Sequence, residues 1–276
     1  MTIVLGIDAA WTATEPSGVA LVREVNGIRT CLAVTPSYQS FLDLALGRPV
    51  DWHSRANGAG QADVPRLIKA AEAIAGTAVD VVAVDMPISR EPLVTRRVAD
   101  NKVSIEFGAR WCSAHSPTPE RPGTLGLALS TAFEKAGYPI AVAGEEQRTR
   151  CQLEVYPHTA LLSLLKAEMR VPYKVSKSKR YWPTLSVQER IRALVAQFEI
   201  INSALQREFG QTGVPIPEHT VVQQLSVLKR YEDSIDALIC GWVGLEYLAG
   251  RTVALGDHAA AVWCPKNVLL NAVGEQ

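Results

Sequence analysis

Two segments rich in strand-forming residues, Val19 to Val25 and Ile28 to Val34, are separated by only the dipeptide Asn26-Gly27. This dipeptide favours a type I′ turn, because Asn and Gly readily adopt the positive φ angles that such a turn needs. The two segments are therefore predicted to pair as an antiparallel hairpin. A short apolar run, Ile3 to Ile7, precedes them, so the first 34 residues predict three antiparallel strands.

The rest of the chain alternates between helical and strand patterns. Apolar residues at helical spacing predict helices at 64–76, 125–136, 161–167, 187–209 and 231–249. Apolar runs predict further strands at 79–85, 151–156 and 259–263. The run at 79–85 is apolar on both faces, which is typical of a parallel strand covered by helices on both sides. We therefore predict a mixed α/β sheet of three antiparallel strands followed by parallel strands, flanked by helices.

Two regions, 35–62 and 88–122, are rich in Pro, Gly, Ser and Arg and are predicted to be functional loops or lids. The length of 276 residues fits a single domain with an insertion at about 88–150. The chain carries 28 Lys and Arg residues and 28 Asp and Glu residues. This balance argues against attachment to nucleic acid through overall positive charge.

The composition also bears on the cellular location. The five cysteines are scattered without C-x-x-C spacing, so neither a zinc ribbon nor a disulfide framework is predicted. The apolar runs are shorter than the roughly 20 residues that a membrane-spanning helix needs. The first residues show neither the positive region nor the cleavage-type segment of a signal peptide. We therefore expect a protein of the reducing cytoplasm that does not enter membranes.

Four aspartates occupy positions typical of a shared site. Asp8 and Asp85 each end an apolar run that predicts a central strand, and open α/β folds bind ligands at such strand ends. If the two strands are neighbours, their carboxylates converge, and buried carboxylates are costly unless they are paired or bound to a metal. Asp233 and Asp236 lie on one face of the C-terminal helix, although the helix dipole alone would also favour an acid near its first turn.

Five short motifs, in this order along the chain, resemble the ribonuclease H-like superfamily. They are Gly6-Ile7-Asp8-Ala9-Ala10-Trp11, Val84-Asp85-Met86-Pro87-Ile88, Arg97-x-x-Asp100, Glu154-Val155-Tyr156-Pro157-His158 and Asp233-Ser234-Ile235-Asp236-Ala237-Leu238. The order is nearest to the Holliday-junction resolvase branch and is more closely similar to domain of unknown function 429, a family of predicted ribonuclease H-like nucleases. The resemblance implies a ribonuclease H-like fold, a metal-dependent nuclease site and, as in resolvases, a homodimer. His158 stands where relatives often carry a second acid, which would give a mixed carboxylate–imidazole site.

The residues and the resemblance together predict a nuclease that hydrolyses phosphodiester bonds by a two-metal mechanism, in which two ions activate a water and stabilise the leaving oxygen. The predicted catalytic residues are Asp8, Asp85, Asp233, Asp236 and Glu154. Of these, Asp8, Asp85 and Asp236 are the predicted ligands of Mg²⁺ or Mn²⁺, ions that prefer oxygen donors. Glu154 is alternatively an anchor for the region around Arg97, or a surface residue in an ion pair.

Basic residues predict the contacts to nucleic acid, DNA or RNA. The segment 170–188 contains five basic and three aromatic residues but no acid, a pattern that suits a phosphate backbone and stacked bases. Lys174, Lys177 and Arg180 are predicted to contact phosphates, with a solvated loop as the alternative. Arg97 is a further candidate for nucleic-acid binding, or with Asp100 it organises the insertion over the site.

Two other functions share parts of this pattern. Sugar kinases and actin-like ATPases also end their first strand in Gly-x-Asp, but Ala9-Ala10-Trp11 stands here in place of a Gly- and Thr-rich phosphate turn. A non-catalytic binding module that keeps the fold and its acids is the remaining alternative. The chain has no Walker loop, G-x-G-x-x-G or G-x-S-x-G motif, which argues against P-loop NTPases, dinucleotide oxidoreductases and serine hydrolases.

Overall fold

A computed structural model describes residues 1–53, 61–118, 121–145, 147 and 149–270. The strands in these ranges are β1 (Thr2–Asp8), β2 (Gly18–Val25), β3 (Ile28–Thr35), β4 (Val81–Asp85), β5 (Cys151–Val155), β6 (Thr252–Gly256) and β7 (Ala261–Pro265). The helices are α1 (Tyr38–Ala45), α2 (Val64–Ala75), α3 (Val98–Phe107), α4 (Leu125–Lys135), α5 (Pro157–Leu164), α6 (Ser178–Tyr181), α7 (Val187–Phe209), α8 (Lys229–Leu248) and α9 (Asn267–Leu270).

The strands form one mixed sheet in the order β3-β2-β1-β4-β5-β7-β6. The first three strands are antiparallel, and Asn26 and Gly27 turn between β2 and β3 with φ angles of 50° and 79°. Strands β1, β4, β5 and β7 are then parallel to one another. These pairings confirm the predicted ribonuclease H-like α/β fold. The strand β6 was not predicted; it pairs antiparallel with β7 and closes the second edge of the sheet.

The two regions predicted to be loops contain helices. Within 35–62, α1 begins after Ser37, whose side chain accepts a hydrogen bond from the backbone of Ser40. Within 88–122, α3 begins after Arg97, and the carboxylate of Asp100 accepts from the Arg97 backbone. Local capping thus starts both helices. The α3 sequence shows little apolar periodicity, whereas Tyr38, Phe41 and Ala45 of α1 recur at helical spacing. The part of the first region at 54–60 lies outside the described residues.

Helices cover both faces of the sheet. On one face, β1 contributes Ile3, Leu5 and Ile7 to a core shared with α1 and α2. On the other, Val4 and Val81 pack in a core formed with α5, α7 and α8. The α8 helix lies between the sheet and α7 and is buried along almost its whole length. The second face therefore brings a long internal helix onto the central strands.

Two further predictions concern the chain as a whole. None of the helices in the described ranges is long and apolar enough to span a bilayer. All five cysteines are free thiols, as the scattered spacing predicted.

Candidate metal centre

The carboxyl ends of β1 and β4 bring two aspartates side by side. The strands pair in parallel, and Asp8 is the Cα partner of Asp85 at the last position of each. Side chains alternate between the faces of a strand, so Asp8 lies on the same face as Gly6, and Asp85 on the same face as Ala83. This is the face that α8 covers. The predicted convergence of the two aspartates is therefore present.

Two glycines allow α8 to approach this face unusually closely. A Cβ atom on Gly6 would lie 2.1 Å from the carbonyl oxygen of Ala237, and one on Gly18 would lie 2.1 Å from that of Asp233. Both distances are far below van der Waals contact, so a side chain at either position would force the helix outward. The helix backbone consequently rests on the strand backbone, and Asp236 reaches the ends of β1 and β4.

Asp8, Asp85 and Asp236 form a compact set of oxygen donors. One carboxylate oxygen from each lies within 4.8 Å of the other two. Asp8 and Asp85 are half-buried, whereas Asp236 is completely buried. Carboxylate oxygens are the ligands that Mg²⁺ and Mn²⁺ prefer, completed by water or phosphate oxygens. The donor chemistry of this centre therefore suits a divalent cation.

The crowding of like charges shifts proton affinities. Burial raises the pKa of Asp85 well above its usual range, and the carboxylate of Asp8 adds to the rise. Burial likewise raises the pKa of Asp236 to about 7, although the ammonium group of Lys174 works in the opposite direction. A cation placed between these carboxylates would relieve their repulsion and favour their ionised forms.

Two lysines and a glutamate complete the centre. Lys174 pairs with Asp236, and its Nζ lies 3.5 Å from Oε1 of Glu232. Lys229 pairs with Asp233 and lies 2.9 Å from the same Glu232 oxygen. Glu232 was not predicted to be a site residue. Its position three residues after Lys229 on a helix nevertheless predicts an ion pair between the two. Each lysine thus bridges two acids on α8.

The segment that carries Lys174 is fastened to α8 by three hydrogen bonds. The hydroxyl of Tyr173 donates to Asp236 at 2.6 Å, Lys174 donates to the other oxygen of the same carboxylate, and the backbone N–H of Val175 donates to Glu232 at 2.6 Å. Burial works to lower the pKa of Lys174, but Asp236, together with smaller contributions from Tyr173, Glu232 and Asp8, raises that pKa well above its usual range. The ammonium group therefore stays charged inside the centre.

The comparisons with known proteins place the chain in a family. Residues 6–261 match the family described as protein of unknown function DUF429. The chain belongs to the DUF429 family. No curated protein and no solved structure matches it. The match covers both strand ends and the part of α8 that carries the acids of this DUF429 chain.

Asp233 lies next to the three-carboxylate set but does not share its oxygen cluster. Its side chain pairs with Lys229, one turn earlier on α8. Burial raises the pKa of Asp233 well above its usual range; Lys229 lowers it, and the nearby Asp8 raises it further. In this DUF429 protein, Asp233 is therefore placed to act through its neighbours rather than as one of the converging ligands.

Glu154 lies on the opposite face of the sheet, which corrects its predicted place in the catalytic set. Leu153 and Val155 of β5 face α8, and the alternation of side chains turns Glu154 away from it. Its carboxylate accepts from the backbone of Ile88 at 3.0 Å and pairs with Arg97 at 2.6 Å. The alternative interpretation, an anchor for the Arg97 region, is the one that agrees with these contacts.

Arg97 and Lys174, two of the predicted phosphate contacts, also form ion pairs inside the protein. The guanidinium of Arg97 is 8% exposed and bonds to Glu154, Asp100 and the carbonyl of Ile88. Its donors are used internally, so Arg97 organises the start of α3 and is not available to nucleic acid. Lys174 is held by Asp236 within the centre. Lys177 and Arg180, by contrast, reach the surface a short distance along the chain.

His158 is buried beside the centre but does not join its ligand atoms. Its Nε2 lies 2.5 Å from Nη2 of Arg170, which can only donate, so Nε2 accepts and the neutral ring carries its proton on Nδ1. Burial and the charge of Arg170 hold the pKa of His158 well below its usual range. The ring packs edge-on against Tyr173, which contacts Asp236. Among the described residues, the mixed carboxylate–imidazole site is not formed.

Proposed function

We propose that this DUF429 protein is a metal-dependent nuclease that hydrolyses phosphodiester bonds in nucleic acid. The observation that carries the proposal is the convergence of Asp8, Asp85 and Asp236, whose oxygens lie within 4.8 Å of one another at the carboxyl ends of two central strands. Ligand sites of open α/β folds lie at such strand ends. We propose that these three carboxylates hold Mg²⁺ or Mn²⁺.

A divalent ion bound there would polarise a phosphodiester and lower the pKa of a bound water, which makes that water a nucleophile at neutral pH. The residues of the chain supply the rest of the environment. Asp8 and Asp85 are half-buried, and we propose that the substrate enters on their side of the centre. Lys174 and Lys229 offset part of the negative charge that would otherwise repel a phosphate.

We propose that the nucleic acid lies along the surface next to the segment 173–181. Lys177 is only three residues from Lys174, hence within about 11 Å of it along the chain. Arg180 follows on α6 and is exposed. Positive side chains near an acidic centre would hold phosphates that the acids alone repel. The homodimer and the cytoplasmic location stay predictions.

Cleavage assays with Asp8→Asn test the proposal. The protein, freed of metal with EDTA, is given Mn²⁺ and labelled single-stranded DNA, duplex DNA, a four-way junction or RNA. We expect Mn²⁺-dependent cleavage of at least one substrate and its loss in Asp8→Asn. Asp63→Asn is the matched control, because Asp63 caps α2 on the surface and Asn caps equally well. Cleavage that survives in Asp8→Asn would refute the assignment, and ATP hydrolysis without nuclease activity would favour the phosphotransferase.

A further inference from the structure

The ammonium group of Lys174 contacts the carboxylate of Asp236 in the way that a second metal ion would. We infer that the centre binds one divalent cation and that the ammonium group of Lys174 permanently occupies the second cation position. This inference rests on the proposed function, since it concerns how many ions the nuclease centre takes. It replaces the expected two-metal arrangement with one ion and one lysine.

The sharing of one carboxylate carries the first part of the argument. In two-metal sites the ions lie about 3.5–4 Å apart, close enough for one carboxylate to hold both. Here the carboxylate of Asp236 offers an oxygen to the cluster with Asp8 and Asp85, and it also accepts a hydrogen bond from Lys174. The Nζ atom is also 3.5 Å from Glu232. Lys174 therefore bridges two acids as a second ion would.

The lysine is also held firmly in that place. Its side chain is 17% exposed, and Nζ lies 5.3 Å from the ring centre of Tyr173, at cation–π distance. The neighbouring backbone N–H of Val175 is bonded to Glu232. A second ion would have to separate Lys174 from its carboxylates and leave a largely buried ammonium group without a partner, which is unfavourable.

Counting bound Mn²⁺ tests the inference without an activity measurement. Calorimetric titration of the metal-free protein should give one Mn²⁺ per chain in the wild type and in Lys174→Arg, which keeps the charge. Lys174→Met removes this cation from Asp236 and Glu232, and we expect two Mn²⁺ per chain. Lys177→Met removes a neighbouring surface charge and serves as the control, with one ion. Electron paramagnetic resonance adds a second readout, because two ions sharing a carboxylate couple magnetically.

The possible results separate the two proposals. Two ions in the wild type, or a coupled Mn²⁺ pair, would overturn the inference about Lys174 and leave the nuclease proposal standing. A single ion in folded Lys174→Met would also overturn it, because the vacated position would then not be a cation position. No Mn²⁺ in the wild type would overturn the nuclease proposal itself. Should Lys174→Met not fold, the wild type and Lys174→Arg still decide the number of ions.

Discussion

Asp8 and Asp85 are in register at the last residue of two parallel strands, with their carboxylates on the same face of the sheet. Two carboxylates in this relation repel each other. The α8 helix adds Asp236 rather than relieving the repulsion. A cluster of this kind is stabilised when a cation or a proton enters it, and the first two predictions follow from that.

Asp85→Asn should stabilise the metal-free protein and weaken metal binding. The amide removes one repelling charge and resembles the protonated form that burial favours. The free energy of unfolding in EDTA should therefore increase by up to about 1 kcal/mol. Affinity for Mn²⁺ should fall by more than about 100-fold, since even loss of an outer partner costs 10- to 100-fold. Urea unfolding and Mn²⁺ calorimetry measure both effects, with Asp63→Asn as the control. A variant that is less stable in EDTA would contradict the repulsion argument.

The stabilisation of the folded protein by bound Mn²⁺ should increase with pH. The pKa of Asp236 is raised to about 7 in the folded metal-free protein, above its value in the unfolded chain. Protonated Asp236 therefore contributes its full stabilisation of the fold below the pKa that Asp236 has in the unfolded chain, and this stabilisation is lost as the pH rises toward 7. Mn²⁺ competes with that proton, so its affinity should be on the order of 100-fold lower at pH 5 than at pH 8.

Thermal unfolding with and without Mn²⁺ between pH 5 and 8 measures this competition. At a metal concentration 100 times the Kd, the gain should reach about 2.7 kcal/mol, or roughly 5–10 °C in Tm. Asp236→Asn removes the titrating group and should flatten the dependence. A metal-induced shift that is equal at pH 5 and pH 8 in the wild type would argue against these ligands.

Gly18→Ala should destabilise the fold through the contact between β2 and α8. The added Cβ would lie 2.1 Å from the backbone oxygen of Asp233, so strand and helix must separate. We expect a loss of about 2–3 kcal/mol in urea unfolding, the range of strong overpacking. Gly108→Ala is the control, because Gly108 has a φ of −62° and its Cβ would meet only the flexible Ser113 side chain at 3.3 Å. Equal effects of the two substitutions would show that the close approach does not matter.

Arg97→Ala should be costly for stability. The change would leave Glu154 and Asp100 buried without their cation, and breaking a buried ion pair from one side costs about 3–5 kcal/mol. The exposed pair of Arg66 with Asp63, 4.0 Å apart, offers the control Arg66→Ala, for which we expect about 0.5 kcal/mol or less. Comparable losses in both variants would show that Arg97 is not an internal anchor.

Lys177→Ala and Arg180→Ala should each weaken nucleic-acid binding without changing Mn²⁺ affinity. Each lost phosphate contact should reduce the slope of log K against log salt by about 1. Fluorescence anisotropy with labelled oligonucleotides in EDTA, over a range of NaCl concentrations, measures the slope. Lys69→Ala provides the control, because Lys69 is exposed on α2, on the other face of the sheet. A slope unchanged in both variants but altered in Lys69→Ala would place the binding surface elsewhere.

The sequence predicts the fold well where local patterns decide it. The Asn26-Gly27 turn predicts the antiparallel start, and the apolar runs ending in Asp8 and Asp85 predict two of the site residues at adjacent strand ends. The α3 helix escapes detection because a cap in polar sequence starts it, whereas the helically spaced apolar residues of α1 lie within a region rich in turn-forming residues. The strand β6 escapes because it is a half-exposed edge strand that depends on its pairing with β7.

The pairing of charges is less predictable, because it depends on contacts between distant parts of the chain. Lys174 and Asp236 are 62 residues apart, and their pairing turns a predicted phosphate contact into an internal ammonium group. Glu154 lies between two apolar residues of a strand that is buried on both sides. The face of the sheet on which Glu154 lies is set only by the register of β5 with β4. The sequence alone therefore does not show that Glu154 points toward Arg97.

The contact of α8 with β1 and β2 through Gly6 and Gly18 has a consequence for how such a protein can diversify. Main-chain atoms face each other directly there, so as long as both residues remain glycine no change of rotamer can widen or narrow the gap. The distance between the acids of the strands and Asp236 of α8 is therefore fixed by the backbone and not by intervening side chains. Under the proposed function, preference for one substrate over another must then be varied in outlying segments such as 173–181, while the acids keep their positions.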